Sequence, residues 1–317
     1  MEKPFIYKYK PQSINDFELN NDFKELIESF INIGNLNILL FGNSGSGKTS
    51  IINCIINQYY KDDYNSNNIL TINSLKDQGI SYYRNEVKTF CQIKSLIPNK
   101  KKFIILDDID TINEQNQQTI RNYIDNYYNN IFFISSCANL QKVIDSFQSR
   151  ILILKIPQLQ KNHLENILNN ICFKENINIS NKSKEFIILL SNLSIKTLIN
   201  YLEKINLFNN NITDDIIFNM CTNISFTIFQ NYTNLCKNKD NLLKAINLIY
   251  SIHNLGYSVI DILDNYFLFL KLNDILNDTC KFLIIKLISK YTIIFYNIHE
   301  DILELALFTN DLIKILS

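Results

Sequence analysis

Apolar residues fall in two rhythms along this chain, and the change comes near Pro157. Between residues 38 and 156, short apolar runs alternate with longer amphipathic stretches. The runs at 37–41, 69–72, 103–106, 131–135 and 151–156 have the length and β-branched content of buried strands. The stretches at 48–60, 79–94, 114–127 and 140–147 place apolar residues at helical spacing. Strands alternating with helices predict an α/β fold with a parallel sheet. After Pro157 only helical periodicity remains. It predicts helices at 161–173, 182–192 and 194–207, a short one after Asp214-Asp215, and longer ones such as 240–254, 258–271 and 278–296. The expected organisation is an α/β domain over residues 1–157, a small helical domain over 158–224 and an all-helical domain over 225–317.

The junction after the first apolar run carries the chemistry. Residues 42–49 read Gly42-Asn43-Ser44-Gly45-Ser46-Gly47-Lys48-Thr49, between Ile38-Leu39-Leu40-Phe41 and the periodic run from Ile51 to Ile56. That is strand, glycine-rich turn, helix, with G-x-x-x-x-G-K-T at the turn, a phosphate loop. Glycines let successive backbone N–H groups curl around phosphate oxygens, and the helix that follows aims its positive end at the same anion. Lys48 then reaches the β and γ phosphates of ATP, and Thr49 holds Mg²⁺. A second apolar run, Phe103-Ile104-Ile105-Leu106, ends in Asp107-Asp108. An Asp at the end of a neighbouring strand completes a Mg²⁺ shell, which assigns the metal to Thr49 and Asp107. The carboxylate beside it, Asp108, can orient an attacking water as general base. An Asp pair that merely caps the next helix would look the same in isolation; its distance after a phosphate loop favours the chemical reading.

Composition narrows the partners. The 317 residues are too many for one typical domain, and 46% hydrophobic with 20% charged residues is ordinary for a soluble chain. Lys+Arg and Asp+Glu are both 31, so no global field draws the protein to DNA or an anionic membrane. Any nucleic-acid contact must come from a local basic face. Seven scattered Cys with no C-x-x-C pair, and three His, point away from metal ligation and disulfides and toward an intracellular, reducing compartment. Met-Glu-Lys-Pro does not read as a signal peptide, and Lys and Asn interrupt every long apolar stretch, so no membrane span is expected. Asn, Ile and Lys abound throughout, as in an A+T-rich genome.

The order of motifs resembles the small subunits of replication factor C, the AAA+ clamp loaders of eukaryotes, archaea and viruses. Lys8-Tyr9-Lys10-Pro11 resembles the family's K-Y-R-P, which places Tyr9 by the adenine. Asn73-Ser74, Asp77, Gly79-Ile80, Arg84-Asn85 and Lys88 resemble its N-A-S-D-x-R-G-I-x-x-V-R-N-x-I-K block. Gln117 and Arg121 fall in a Q-x-A-L-R-R-like helix, Ser149-Arg150 match the start of S-R-C, and Gly256-Tyr257-Ser258 resemble a helix start in the third domain. The resemblance implies an AAA+ domain, a helical lid and a helical collar. It also implies a place in a hetero-pentamer that opens a sliding clamp and loads it onto primer–template DNA, in a nucleus or at a viral replication site. It makes Arg150 an arginine finger acting in trans on a neighbour's ATP. Arg84 and Lys88, four apart on one helix, become candidates for DNA phosphate contact. Phe90, Ile93, Leu96 and Ile97 become candidates for clamp contact.

Departures from the family pattern separate binding from chemistry. The binding set, Gly42, Gly45, Gly47, Lys48, Thr49 and Asp107, is intact. The D-E-A-D box reads Asp107-Asp108-Ile109-Asp110, so the water-orienting Glu is the shorter Asp108. Displacing a base by about 1 Å can cost on the order of 10²-fold in rate. The first sensor position falls on Ala138, and a one-residue bulge would bring Asn139 there instead. The second sensor aligns with Lys196, which keeps the charge of an Arg without its forked geometry. Three functions fit: an ATP-driven clamp-loader subunit, a non-hydrolysing clamp-loader scaffold that donates Arg150, or a stand-alone AAA+ DNA-processing ATPase.

Overall fold

A computed structural model describes residues 3–73, 80–208, 213–273, 276–295 and 298–316. Ser74, Asp77 and Gly79 of the N-A-S-D-like block lie outside the described residues. The chain forms two compact units, Met1–Ile177 with Ser191–Asn206, and Asn178–Leu190 with Leu207–Ser317. These differ from divisions at 157 and 224: α8 (Lys161–Glu175) and α10 (Ile195–Asn206) fall with the α/β domain, whereas α9 (Asn181–Leu190) falls with the C-terminal helices.

The first unit opens with α1 (Phe5–Lys8) and α2 (Asn21–Ile33). It continues through β1 (Ile38–Phe41), α3 (Lys48–Tyr60), β2 (Ile69–Asn73), α4 (Ile80–Tyr82), a π-helical turn at Tyr83–Val87 and α5 (Lys88–Gln92). Then come β3 (Lys102–Asp107), α6 (Glu114–Tyr127), β4 (Ile131–Cys137), α7 (Asp145–Gln148) and β5 (Leu152–Lys155). The five strands are parallel in the order β2-β3-β4-β1-β5. Their apolar runs are continuous because both faces are covered. Ile38, Leu40, Phe103, Ile105, Phe132 and Ile134 pack on one face with Ile51, Ile52 and Ile55 of α3. Leu39, Ile104, Leu106, Ile131 and Phe133 pack on the other with Tyr83, Val87, Ile120 and Phe147. Each such side chain contributes about 1.5–3 kcal/mol relative to exposure.

Two helical expectations are corrected. The 79–94 stretch is interrupted by the π turn, and 140–147 is not one helix. It is a 3₁₀ turn at Leu140–Lys142 followed by the four residues of α7. Side chains take the backbone groups there: the Gln141 N–H donates to Asn139 Oδ1 at 2.9 Å, and the Ile144 N–H to Gln117 Oε1 at 3.0 Å. Gln148 Nε2 donates to the Leu140 and Val143 carbonyls. Such local bonds compete with helix. Helix α2, ahead of the first apolar run, is absent from the expected set.

Three consecutive lysines lock the far ends of three helices. Lys100 Nζ donates to the Tyr59 carbonyl near the end of α3 at 2.7 Å, and Lys101 Nζ to the Tyr128 carbonyl just past α6 at 3.2 Å. Lys102 Nζ donates to the Phe90 and Ile93 carbonyls at the end of α5, at 2.7 and 3.1 Å. Each ammonium also sits over an aromatic ring, of Tyr59, Phe132 and Phe90 respectively. A cation at a helix C-terminus meets orphan carbonyls and the negative end of the dipole. The run is thus internal architecture and not a phosphate-binding patch.

The second unit comprises α9, α11 (Asp214–Cys221), α12 (Phe226–Cys236), α13 (Leu242–Asn254), α14 (Val259–Leu272), α15 (Asp278–Phe295) and α16 (Leu303–Leu316). Its core holds Phe229, Tyr232, Tyr266, Phe269 and Phe308. The buried hydroxyls find partners: Tyr232 with Thr309 at 2.8 Å, and Tyr266 with Thr233 at 3.1 Å. The Gly256-Tyr257-Ser258 motif has a local cause. Gly256 takes φ 99° just past α13, and the Ser258 hydroxyl caps α14 by accepting from the Asp261 N–H.

Candidate nucleotide-binding site

The phosphate loop crosses from the C-terminal end of β1 to the start of α3. Gly45 and Gly47 have φ of 76° and 89°, the left-handed region that a side chain disfavours. A Cβ on Gly45 would also lie 2.2 Å from Ser194 Oγ, so the loop is closed over by the turn that begins α10. Lys48 is buried, and its ammonium curls back to the Gly42 and Asn43 carbonyls at 2.9 and 3.0 Å. Ser46 Oγ is buried without a hydrogen-bond partner. An enclosed cation, a Cβ-free cradle and an orphan hydroxyl are the donor set that a nucleotide polyphosphate requires.

Strand parity puts the acidic end of β3 opposite this loop. Asp107 continues the face of Phe103 and Ile105, toward α3. Thr49 Oγ1 donates to both its carboxylate oxygens, at 3.1 and 3.0 Å, and Ser136 Oγ donates to Oδ1 at 2.6 Å. Asp108 adopts the left-handed conformation, φ 52° and ψ 56°, which Asp tolerates better than most residues. Its N–H leaves the sheet ladder and donates to Ser136 Oγ at 2.9 Å. Asp108 is exposed. Its pKa is raised nonetheless, by partial burial first, then by the Asp107 carboxylate; Lys48 opposes the shift and Asp110 adds to it.

The turns after β3 and β4 are tied together. Asp110 Oδ2 accepts from the Ala138 and Asn139 N–H groups at 3.2 and 2.9 Å. Gln117 is buried, and its amide donates to the Ile109, Ile112 and Lys142 carbonyls. The pairing of β4 with β1 and β3 runs without a bulge, from Ile131 opposite Lys102 to Cys137 opposite Phe41. Ala138 therefore follows the strand directly, and Asn139 caps the next turn.

The remaining predicted residues scatter around this centre. Lys196 is exposed in the first turn of α10, two residues beyond the Ser194 that covers Gly45. Tyr9 donates its hydroxyl to Glu175 at the end of α8, and Lys8 pairs with the same carboxylate at 2.6 Å. These partners hold the Glu175 pKa below the ordinary range. Arg84 and Lys88 are exposed on the π turn and α5. Ile93 and Leu96 are exposed just after α5, whereas Phe90 lies under the Lys102 ammonium and Ile97 packs against the core.

Arg150 lies at the opposite end of the sheet. Phe41 pairs with Lys155 and Ile38 with Leu152, so Gly42 and Arg150 bracket the strand pair from opposite ends. At about 3.3 Å per residue Gly42 stands roughly 13 Å from the Ile38–Leu152 level, and Arg150 lies beyond that level in the turn before β5, out of reach of one side chain. Within its own chain Arg150 bonds to Asp125 Oδ1 at 2.7 Å, the Ser146 carbonyl at 2.7 Å and Ser149 Oγ at 3.1 Å.

Sequence reasoning missed Ser136 and Ser194, and named Asp110 without a role. Ser136 carried a signal: a polar residue closing an apolar strand, on the parity of Ile134.

Residues 38–157 match the model of the ATPase family associated with various cellular activities. The chain is 29% identical to a replication factor C small subunit named in Acanthamoeba polyphaga mimivirus, over 86% of this chain and 84% of that one. It is 25% identical to replication factor C subunit 4 of Schizosaccharomyces pombe over 96% and 89% of the two chains, and 29% identical to subunit 5 of Homo sapiens over 69% and 64%. Among solved structures it resembles a Thermotoga maritima RuvB mutant, at TM-score 0.53 and 14% identity over 70% of this chain and 79% of that one. It also resembles domain III of Thermotoga maritima DnaA, at TM-score 0.50 and 14% identity over 66% and 95%. These last two likenesses bear on fold alone.

Proposed function

We propose that this chain, which belongs to the replication factor C small subunits of the AAA ATPase class, is an ATP-binding subunit of a clamp-loader complex that helps open a sliding clamp and load it onto primer–template DNA. The observation that carries this reading is the separation of two half-sites. Lys48, Thr49 and Asp107 converge at one end of the sheet, and Arg150 lies beyond the other end of the β1–β5 pair. An arginine that cannot reach its own phosphate loop suits a ring in which each ATP is shared between neighbours. The all-helical C-terminal unit and the N-A-S-D-like block weigh against a stand-alone ATPase.

Bound ATP with Mg²⁺ supplies the phosphoryl group and the charge that these residues address. Lys48 leaves the Gly42 and Asn43 carbonyls and pairs with the β and γ phosphates. Thr49 and Asp107 hold the metal. Lys196, at the start of α10, adds positive charge from the lid side. Asp108 orients the attacking water, and Arg150 leaves Asp125 to stabilise charge that develops on a neighbour's γ-phosphoryl oxygens. Arg84 and Lys88 track DNA phosphates, and Ile93 and Leu96 offer apolar contact to the clamp. The complex works in a reducing compartment, a nucleus or a viral replication site.

A second reading, a subunit that binds ATP and hydrolyses it poorly, is favoured by specific observations. Asp108 is one methylene short, and the unbroken register of β4 leaves Ala138, with no polar side chain, directly after the strand.

The test is a reconstituted complex in which only this subunit carries Arg150→Ala, beside one in which only it carries Lys48→Ala. Arg150→Ala should leave this subunit's own ATP affinity within about twofold, while the neighbouring site loses ~10³-fold or more in turnover. Clamp loading should fall with it. Unchanged total turnover removes the finger role. Loss of this chain's own ATP binding makes Arg150 act in cis and replaces the ring reading.

A further inference from the structure

We infer that Ser136 is the positioning residue of the metal half of this site: its hydroxyl orients the Asp107 carboxylate and pins the kink at Asp108. The inference rests on the reading of residues 42–49 and Asp107 as an ATP·Mg²⁺ site. It goes beyond the motif residues, none of which is Ser136.

The geometry leaves the hydroxyl no freedom. Ser136 is fully buried and pairs with Leu40 of β1. Its oxygen accepts from the Asp108 N–H at 2.9 Å, which directs its single proton to Asp107 Oδ1 at 2.6 Å. The short second bond is that of a hydroxyl to a charged acceptor. The β3–β4 register ends with Leu106 opposite Ser135. One hydroxyl thus satisfies an N–H that the left-handed turn at Asp108 takes out of the ladder, and fixes the carboxylate next to it.

Thr49 shares this carboxylate, but its role differs. Its hydroxyl donates to both Asp107 oxygens from the first turn of α3, within the phosphate loop. In the metal-holding role proposed above, the Thr49 oxygen would offer a lone pair to the ion, so its contact with Asp107 would depend on the setting of the loop. Ser136, set in the sheet and not in the loop, then remains to keep Asp107 aimed. Partners that orient a metal ligand commonly account for 10–100-fold in metal affinity or activity.

The neighbouring residue provides an internal control. Ser135 is the same residue type, in the same strand, equally buried. Its side chain lies on the opposite face, and its hydroxyl makes one long bond, 3.4 Å, to the Ile38 carbonyl. A general loss from removing a buried serine hydroxyl affects both positions; a loss of carboxylate orientation affects only Ser136.

The experiment titrates the full-length chain with ATP in EDTA and across a range of free Mg²⁺, for wild type, Ser136→Ala, Ser135→Ala and Ser136→Cys. Ser136→Ala should raise the Mg²⁺ concentration for half-maximal tightening of ATP binding ~10-fold or more, with ATP affinity in EDTA within about twofold of wild type. Ser136→Cys, similar in shape with a weak donor, should fall between. Ser135→Ala should keep the wild-type Mg²⁺ dependence. A wild-type Mg²⁺ response in both Ser136 variants, or an equal shift in Ser135→Ala, overturns the inference. If wild type and Lys48→Ala bind ATP alike, the nucleotide-site reading itself fails and the positioning role falls with it.

Discussion

The two ends of the central sheet both carry polar side chains, yet use them in opposite ways. At the C-terminal ends of the strands, Lys48, Thr49, Asp107, Asp108, Asp110 and Ser136 converge within hydrogen-bonding distance or electrostatic range of one another. Ser46 Oγ and one Asp110 oxygen remain buried there without partners. At the N-terminal ends, Asn37 accepts from the Phe133 N–H, and Lys100, Lys101 and Lys102 each cap a different helix. Arg150, near that end, is held by Asp125. A polar group satisfied by backbone stabilises the fold. A polar group left short, or pressed against like charge, holds free energy that a ligand releases. Two buried lysines show the difference, for Lys48 and Lys102 both meet carbonyls, but only Lys48 does so inside a glycine loop whose partners a phosphate can replace.

Removing each of those two lysines in turn should give opposite losses. Lys48→Ala should weaken ATP binding by ~100-fold or more, since charge-assisted bonds contribute about 1.5–3 kcal/mol each. Its melting temperature should fall less than that of Lys102→Ala, whose ammonium is the more buried and also sits over an aromatic ring. Lys102→Ala should cost about 2–4 kcal/mol of stability, through unpaired carbonyls and a cavity, and leave ATP affinity intact below the melting transition. Urea titration and ATP titration on both variants check this; a Lys102→Ala chain that folds stably but loses ATP would erase the distinction between the two ends.

A smaller effect sharpens the chemistry of the C-terminal end. Asp108→Glu should raise single-turnover hydrolysis in the assembled complex, by a few-fold up to ~100-fold, because one methylene restores reach to the water. It should also lower stability slightly, since Glu tolerates the left-handed backbone at this position less well than Asp. A slower Asp108→Glu enzyme means that the pocket is fitted to Asp.

The smallest effect concerns a charge that belongs to neither end. Glu175 has a depressed pKa because Lys8 and Tyr9 stabilise its carboxylate. Its contribution to stability is therefore present above the ordinary carboxylate range and is lost as pH falls through the lowered value. Glu175→Gln should destabilise the chain near pH 7 by no more than about 1 kcal/mol, given the exposed Lys8 partner. The difference should vanish in acid. Melting curves from pH 7 to pH 3 measure it, and a difference that grows on acidification would mean that the fold does not stabilise the charged Glu175 carboxylate.

Much of the site is legible along the chain because its pieces are local. The phosphate loop needs only a strand, a glycine turn and a helix in succession, and the G-K-T signature sits at that junction. The Asp pair at the end of β3 is equally local, and the five apolar runs each became a strand. The helix expected at 140–147 failed for a local reason too, since Asn139, Gln117 and Gln148 compete for its backbone groups.

What the sequence determined by itself was a parallel α/β domain with a phosphate loop, an acidic strand end and a helical remainder, because apolar period and glycine placement act over a few residues. Only the tertiary structure decided that β4 lies between β3 and β1. That order brings Ser136 to Asp107 and Asp110 to the amides after β4, and the packing of α10 sets Ser194 over Gly45. It also decided that three adjacent lysines serve three helix ends and that Arg150 lies a sheet's length from its own phosphate loop. The contacts of Ser136, Asp110 and Ser194 join residues about 30 to 150 positions apart. No local pattern encodes them, because which strand becomes whose neighbour is settled by packing both faces of the sheet at once.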